Sequence, residues 1–231
     1  MPLVRSRDPL ERAAGLLALW CLATLAILFS KPGFTSASKP QHGIADPVLA
    51  LQLAHDVSDV DAILSDAPSP DREVMRLKQY EDFGYIAGYG FLFVVLSLLL
   101  RRRYPPLAMV ATLAMGAGIA AATLDVIENF AILRIVDVPL AFTTQTMVDA
   151  IRHAAVPKWA LGFVAAGLLS IYFLRDARVV ARISGVFFLA GAMVGLYGLF
   201  FANAILMFGA LALMVGLFGA AVVFLLIPLK R

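Results

Sequence analysis

The residues best placed to do chemistry lie inside one apolar run. Asp125, Glu128 and Asn129 recur at helical i, i+3 and i+4 spacing within the stretch Leu107 to Leu133, so one helix face carries all three. Asp82, Tyr85 and Tyr89 share a face at the start of another apolar run. Asp149, Arg152, His153 and Lys158 precede a third. Two carboxylates on one face raise each other's proton affinity, which suits general acid–base work. The same groups could instead hold helices together through ion pairs and hydrogen bonds, with Arg134, Arg152 or Lys158 neutralising Asp82, Asp125 and Glu128. Both readings stay open at this level. Asp149 can meet Arg152 and His153 one turn on. Asp149 and His153 are also spaced for a divalent metal. No dense metal motif accompanies them, so no metal and no cofactor is expected.

The runs that carry these residues are built for a bilayer. The chain has 231 residues, 61% hydrophobic and 15% charged, with a mean hydropathy of +0.86. Soluble domains carry about 25% charged residues. The apolar residues form uninterrupted runs long enough to cross the hydrocarbon as helices. The short alternating segments of a β-barrel do not occur. The fold class is therefore all-α: a polytopic transmembrane helix bundle of about six spans with a partly helical outer loop. The single cysteine, Cys21, excludes an internal disulfide and a cysteine metal site. Nucleotide loops, G-x-S-x-G and C-x-x-C motifs do not occur. The net charge of +3 is too small to imply nucleic acid.

Residues 1–12 form a short basic segment, and 13–30 the first span. That span also admits a cleaved secretory signal ending near Thr35-Ser36-Ala37. We read it as an anchor because the preceding region is long and carries Asp8 and Glu11. Residues 31–81 form a polar extracytoplasmic loop, with an amphipathic helix expected between Pro47 and Leu64. Within the membrane domain, 82–231, five further spans are expected at about 83–100, 107–133, 159–174, 183–202 and 205–228. A short separate helix is expected from Gln145 to Val156, with Thr143 or Thr144 as its cap. The last two spans follow because Ile183 to Leu229 as one helix would be about 70 Å long, over twice the hydrocarbon thickness. Asn203 marks the turn.

Arginines then orient the chain. Arg5, Arg7, Arg12, Arg101 to Arg103, Arg175, Arg178, Arg182, Lys230 and Arg231 all fall on one side, expected to be cytoplasmic together with both termini. Stripes of small residues predict helix interfaces. In the third span the stripe Ala114, Gly118, Ala121 and Ala122 leads directly into Asp125, so the carboxylates should face the bundle. Asp125 lies about 27 Å along the helix from Leu107, near the outer edge of the hydrocarbon.

The segments Val57 to Leu64, Asp82-Phe83 with Tyr89 (D-F-x5-Y), Leu124 to Asn129 (L-D-x-x-E-N) and Lys158-Trp159 together resemble a family of uncharacterised bacterial multi-span membrane proteins. The resemblance covers Val48 to Trp159. It implies a bacterial inner-membrane location and singles out Asp82, Asp125, Glu128, Asn129 and Lys158, but it carries no established activity.

Three functions are expected from these observations. The first is an accessory, assembly or sensing protein whose outer loop meets a protein partner. The second is a membrane-embedded enzyme using carboxylate acid–base chemistry on a lipid or isoprenoid. The third is a small proton-coupled transporter. The lipid bilayer itself is the one partner composition requires, and oligomeric state stays open.

Overall fold

The computed structural model describes residues 8–30, 33–35 and 42–227. Ser36 and Ala37 of the expected cleavage site, and the terminal Lys230 and Arg231, lie outside the described residues. Among those described, the chain is helical and forms no strand. Six helices are long and apolar enough to cross a membrane, and the chain is a multi-pass integral membrane protein. The spanning helices are α1 (Pro9–Ser30), α4 (Pro70–Arg103), α5 (Ala108–Val136), α6 (Gln145–Leu174), α7 (Val179–Phe201) and α8 (Asn203–Leu225); two short ones, α2 (Pro47–Gln52) and α3 (Val57–Leu64), lie between α1 and α4.

Local chemistry sets the helix ends. Ser69 caps α4 by accepting from the Asp71 N–H at 3.2 Å, and Pro70 occupies the first turn, where its missing donor costs nothing. Asp71 and Glu73 begin the helix and Arg101 to Arg103 end it, matching both ends of its dipole. Pro105 and Pro106 then start the next helix through a 3-10 turn.

Two local expectations are corrected. The amphipathic stretch from Pro47 to Leu64 is two helices. Asp46 caps the first through the Leu49 N–H at 2.8 Å. Asp56 caps the second through Ser58 at 2.8 Å and Asp59 at 3.1 Å, so the chain breaks and restarts between them. The segments Gln145 to Val156 and 159–174, expected as separate helices, are one continuous α6 that runs through Pro157. Proline there removes one donor. The carbonyl it leaves unpaired belongs to His153, an exposed residue, while fully buried Ile151, Ala155 and Phe163 keep both halves packed.

The spanning helices close into a ring of neighbours: α1 on α4, then α5, α6, α7 and α8, which returns to α1. Glycine makes the tightest step. A Cβ at Gly209 would lie 2.5 Å from the Gly195 backbone, so α7 and α8 cross backbone to backbone. A single residue outside the helices, Ala202, separates them.

Each end of the ring has its own lock. At the arginine end, buried Asp176 accepts from Arg103 at 3.1 Å and from the Nε and Nη2 atoms of Arg178 at 3.0 and 2.8 Å. Arg178 also donates to the Val223 and Ile227 carbonyls, capping α8. At the other end, Arg72 is 2% exposed. It donates to the carbonyls of Ser65, Ile135, Val136 and Val138.

Burial alone would raise the Asp176 carboxyl, but hydrogen bonds and charge from Arg178, with the charge of Arg103, outweigh it and hold the group below its ordinary value. A carboxylate with a depressed folded pKa contributes stability that is fully present above its unfolded value, about 3.9, and lost as pH falls through the folded value. Asp176→Asn should therefore melt lower than wild type at neutral pH and lose less on acidification below about pH 4. Parallel melting curves of the two proteins across that range would contradict this assignment.

Candidate functional site

Three helices deliver the central polar cluster. On α5 the buried face contains Ala111, Ala114, Gly118 and Ala121 and then Asp125, Glu128 and Asn129. Small residues let the neighbours approach: a Cβ on Gly118 would lie 2.5 Å from the Phe93 side chain. The same face therefore carries the acids inward, with Asp125 6% exposed and Glu128 and Asn129 fully buried. From α6, Lys158 inserts its ammonium 2.8 Å from Asp125 Oδ1 and 2.7 Å from Glu128 Oε2. From α4, the Tyr89 hydroxyl donates to Asp125 Oδ2 at 2.7 Å, and the Tyr85 ring packs at a tilt against Tyr89 with centroids 5.3 Å apart. Asp82 accepts from Asn129 Nδ2 at 3.0 Å.

The cluster thus joins Asp82, Tyr85, Tyr89, Asp125, Glu128, Asn129 and Lys158. Three other expected residues stand elsewhere. Asp149 accepts from Gln145 at 2.8 Å and makes no ion pair with Arg152 or His153. Arg152 turns to the loop and contacts His55 Nδ1 at 2.7 Å. His153 is exposed. Among the described residues the cation that pairs with Asp125 and Glu128 is Lys158; Arg134 is exposed and Arg152 is engaged with the loop. The reason is rotation about the helix axis: Lys158 shares a face with buried Ala154 and Ala155, whereas Arg134 lies on the outside of α5.

Sequence reasoning missed Gln79 and Gln52. Gln79 stands one turn before Asp82, a spacing that could have revealed it, and is 2% exposed. Among the described residues its side-chain oxygen has no hydrogen-bond partner. Gln52 accepts from the Trp159 indole at 2.9 Å, docking α2 onto α6. Glu128 Oε1 and Asn129 Oδ1 likewise receive no donor among the described residues. An oriented, acceptor-rich cluster of this kind can hold a proton or a donor. Among the described residues no group of three or more His, Cys, Asp or Glu is arranged to hold a metal ion, since Lys158 sits between the two nearest carboxylates.

Beside the cluster a cavity of about 320 Å³ occupies the middle of the ring. Gln52, Gln79, Asp82, Asp125 and Lys158 line one end, and all six spanning helices contribute to its walls. Away from the cluster the lining is apolar, including Leu92 and Leu96 of α4, Leu169 of α6 and Leu217 of α8. Leu96 is fourteen residues beyond Asp82, about 21 Å along the helix. The volume is that of a small-molecule site, and its length runs along the helices that line it.

The chain matches no protein-family model, no curated protein and no solved structure.

One side of the ring is less closely packed. At the arginine end, a Cβ on Gly15 of α1 would lie 2.7 Å from Leu225 of α8, and Ala14, Ala18 and Cys21 are fully buried. Toward the other end α1 follows α4: the Trp20 indole donates to the Gly84 carbonyl at 2.8 Å and Lys78 to the Leu28 carbonyl at 2.8 Å. No α1 residue joins the apolar core at the α2–α3 end. There, Leu25, Leu28 and Phe29 of α1 and Met207, Leu211 and Met214 of α8 face the cavity instead.

Proposed function

We propose that this is a bacterial inner-membrane protein that takes an amphiphile from the outer leaflet and holds it inside the helix ring. The observation that carries the reading is the form of the cavity: polar at one end, apolar along the rest, and surrounded by spanning helices. The clustered arginines support a cytoplasmic orientation of the opposite end. The polar cluster then lies at the outer rim, where a lipid head group sits. The ligand's chain passes between α1 and α8, whose tight contact is near the arginine end.

Binding is favoured over acid–base turnover because Asp125 and Glu128, the expected acid and base, share one lysine. It is favoured over solute transport because the inner walls are leucine and phenylalanine. A sensing role fits the same site. The cap helix α2 contributes Asp46, Val48, Leu49 and Gln52 to the cavity, so occupancy can be read at the surface that a protein partner would meet.

Mass spectrometry of lipids retained by the purified protein tests this reading. Wild type should keep one amphiphile enriched over the bulk membrane. Ala210→Trp, which fills the cavity from α8, should lose that enrichment. A retained profile equal to the bulk membrane in both proteins would count against it.

A further inference from the structure

We infer that the blind end of the cavity limits the length of the amphiphile's chain, with Gly162 keeping the passage open and Phe188 helping to close it. This rests on the amphiphile reading above and adds chain length, whatever the head group.

The walls define a depth. On α6 the lining runs from Lys158 to Leu169, a rise of about 16 Å. On α4 it runs from Asp82 to Leu96, about 21 Å. An extended chain advances about 1.3 Å per bond, so about 13–17 carbons reach from the polar cluster to the far end.

The far end is a floor. Leu96, Leu169, Phe188 and Leu217 line it from four helices. One turn beyond, Leu100 of α4, Phe173 of α6 and Ala220 of α8 are fully buried and do not line the cavity. The Phe188 ring packs on Phe173 with centroids 5.3 Å apart, and Phe173 on Phe224 at 5.8 Å. Below Leu25, the buried residues Ala14, Ala18 and Cys21 of α1 close the side. A chain that exceeds the depth must overpack this floor or bend back toward the α1–α8 opening, and overpacking is costly.

Gly162 lies on the wall one turn below Lys158. A Cβ there would meet nothing within 4 Å, whereas one on Gly118 would lie 2.5 Å from Phe93. Gly162 therefore does not serve close helix packing. Its missing side chain leaves the passage clear.

The test is photo-crosslinking of the purified full chain with octanol, hexadecanol and eicosanol, each bearing a diazirine at the end of the chain. A hydroxyl both donates and accepts, so one head group suits the donors and the acceptors of the polar end. Peptide mapping locates the chain end. Octanol should label between Gly162 and Ala166, and hexadecanol the floor at Leu96, Leu169 or Leu217. Eicosanol should label the floor about tenfold less than hexadecanol, because it overfills the site. Phe188→Ala removes a ring about 5 Å across and should restore floor labelling by eicosanol. Gly162→Phe should move the hexadecanol label from the floor to outer positions such as Trp159 and Met207. Melting selects variants that keep the fold, with Gly162→Leu as the milder block. Floor labelling that is the same for all three lengths, or a hexadecanol label that stays on the floor in the blocked variant, overturns the length limit and leaves the amphiphile reading standing. Cavity labelling no stronger than that of outward-facing Ile127 and Phe130 for every probe overturns both.

Discussion

Lys158→Met is expected to cost about 3–5 kcal/mol of stability, the usual cost of leaving a buried charge uncompensated. Lys158 is 6% exposed and touches two carboxylates, at 2.8 Å on Asp125 and 2.7 Å on Glu128. Without it, three acids from two helices face one another beside the cavity. The paired change Asp125→Asn with Glu128→Gln should also be costly, because it strands the ammonium with Asp82 as its remaining nearby acid. Changing all three residues together should recover most of the loss, since neutral groups of similar shape often replace a buried ion network at little cost. Unfolding of the detergent-solubilised variants gives the cycle directly. Equal stability of Lys158→Met and wild type would show that the lysine does not hold these helices together.

Arg72→Met should be nearly as damaging, with a loss of at least about 3 kcal/mol, since hydrogen bonds to a charged group each contribute about 1.5–3 kcal/mol. The guanidinium reaches four carbonyls: Ser65 at the end of α3, Ile135 and Val136 at the end of α5, and Val138 beyond it. The Ile135 carbonyl accepts the Val138 N–H at 3.3 Å, and a guanidinium there adds a donor and a cation at the negative end of the helix dipole. Methionine fills the volume but removes the donor shared by the Val136 and Val138 carbonyls. Arg72→Lys should recover only part of the loss, because one ammonium cannot reproduce the planar fork. The variant should also expose the α5–α6 connection to protease before the bundle melts, since Arg76 to Asp137 at 2.8 Å and Asp66 to the Leu140 N–H at 2.8 Å would then be its main remaining ties to the outer segment. A wild-type melting point and protease pattern would refute this role.

Much of the membrane architecture can be read from the chain because a bilayer imposes a one-dimensional rule. A segment spans if it is apolar for long enough, and Asn203 marked the fold-back that separates α7 from α8. The inward face of α5 was equally legible, since Ala114, Gly118 and Ala121 lie in register with Asp125 at helical spacing. Continuity across Pro157 was harder to see, because proline is a local stop signal that packing of Ile151, Ala155 and Phe163 overrides.

Periodicity ranks residues around one helix and says nothing of the rotation and height of its neighbours. Arg134, Arg152 and Lys158 were therefore equal candidates to neutralise the acids until the ring placed Lys158 between them and sent Arg152 to His55. For the same reason periodicity does not mark Gln79 and Arg72, both 2% exposed. By itself the sequence determined the helical class, the number of apolar spans and which face of α5 turns inward, because those depend on composition and on spacing along one segment. Only the tertiary structure decided which cation meets the acids, which acceptors stay unpaired and that a cavity lies beside them, because each depends on how six separate helices are rotated against one another.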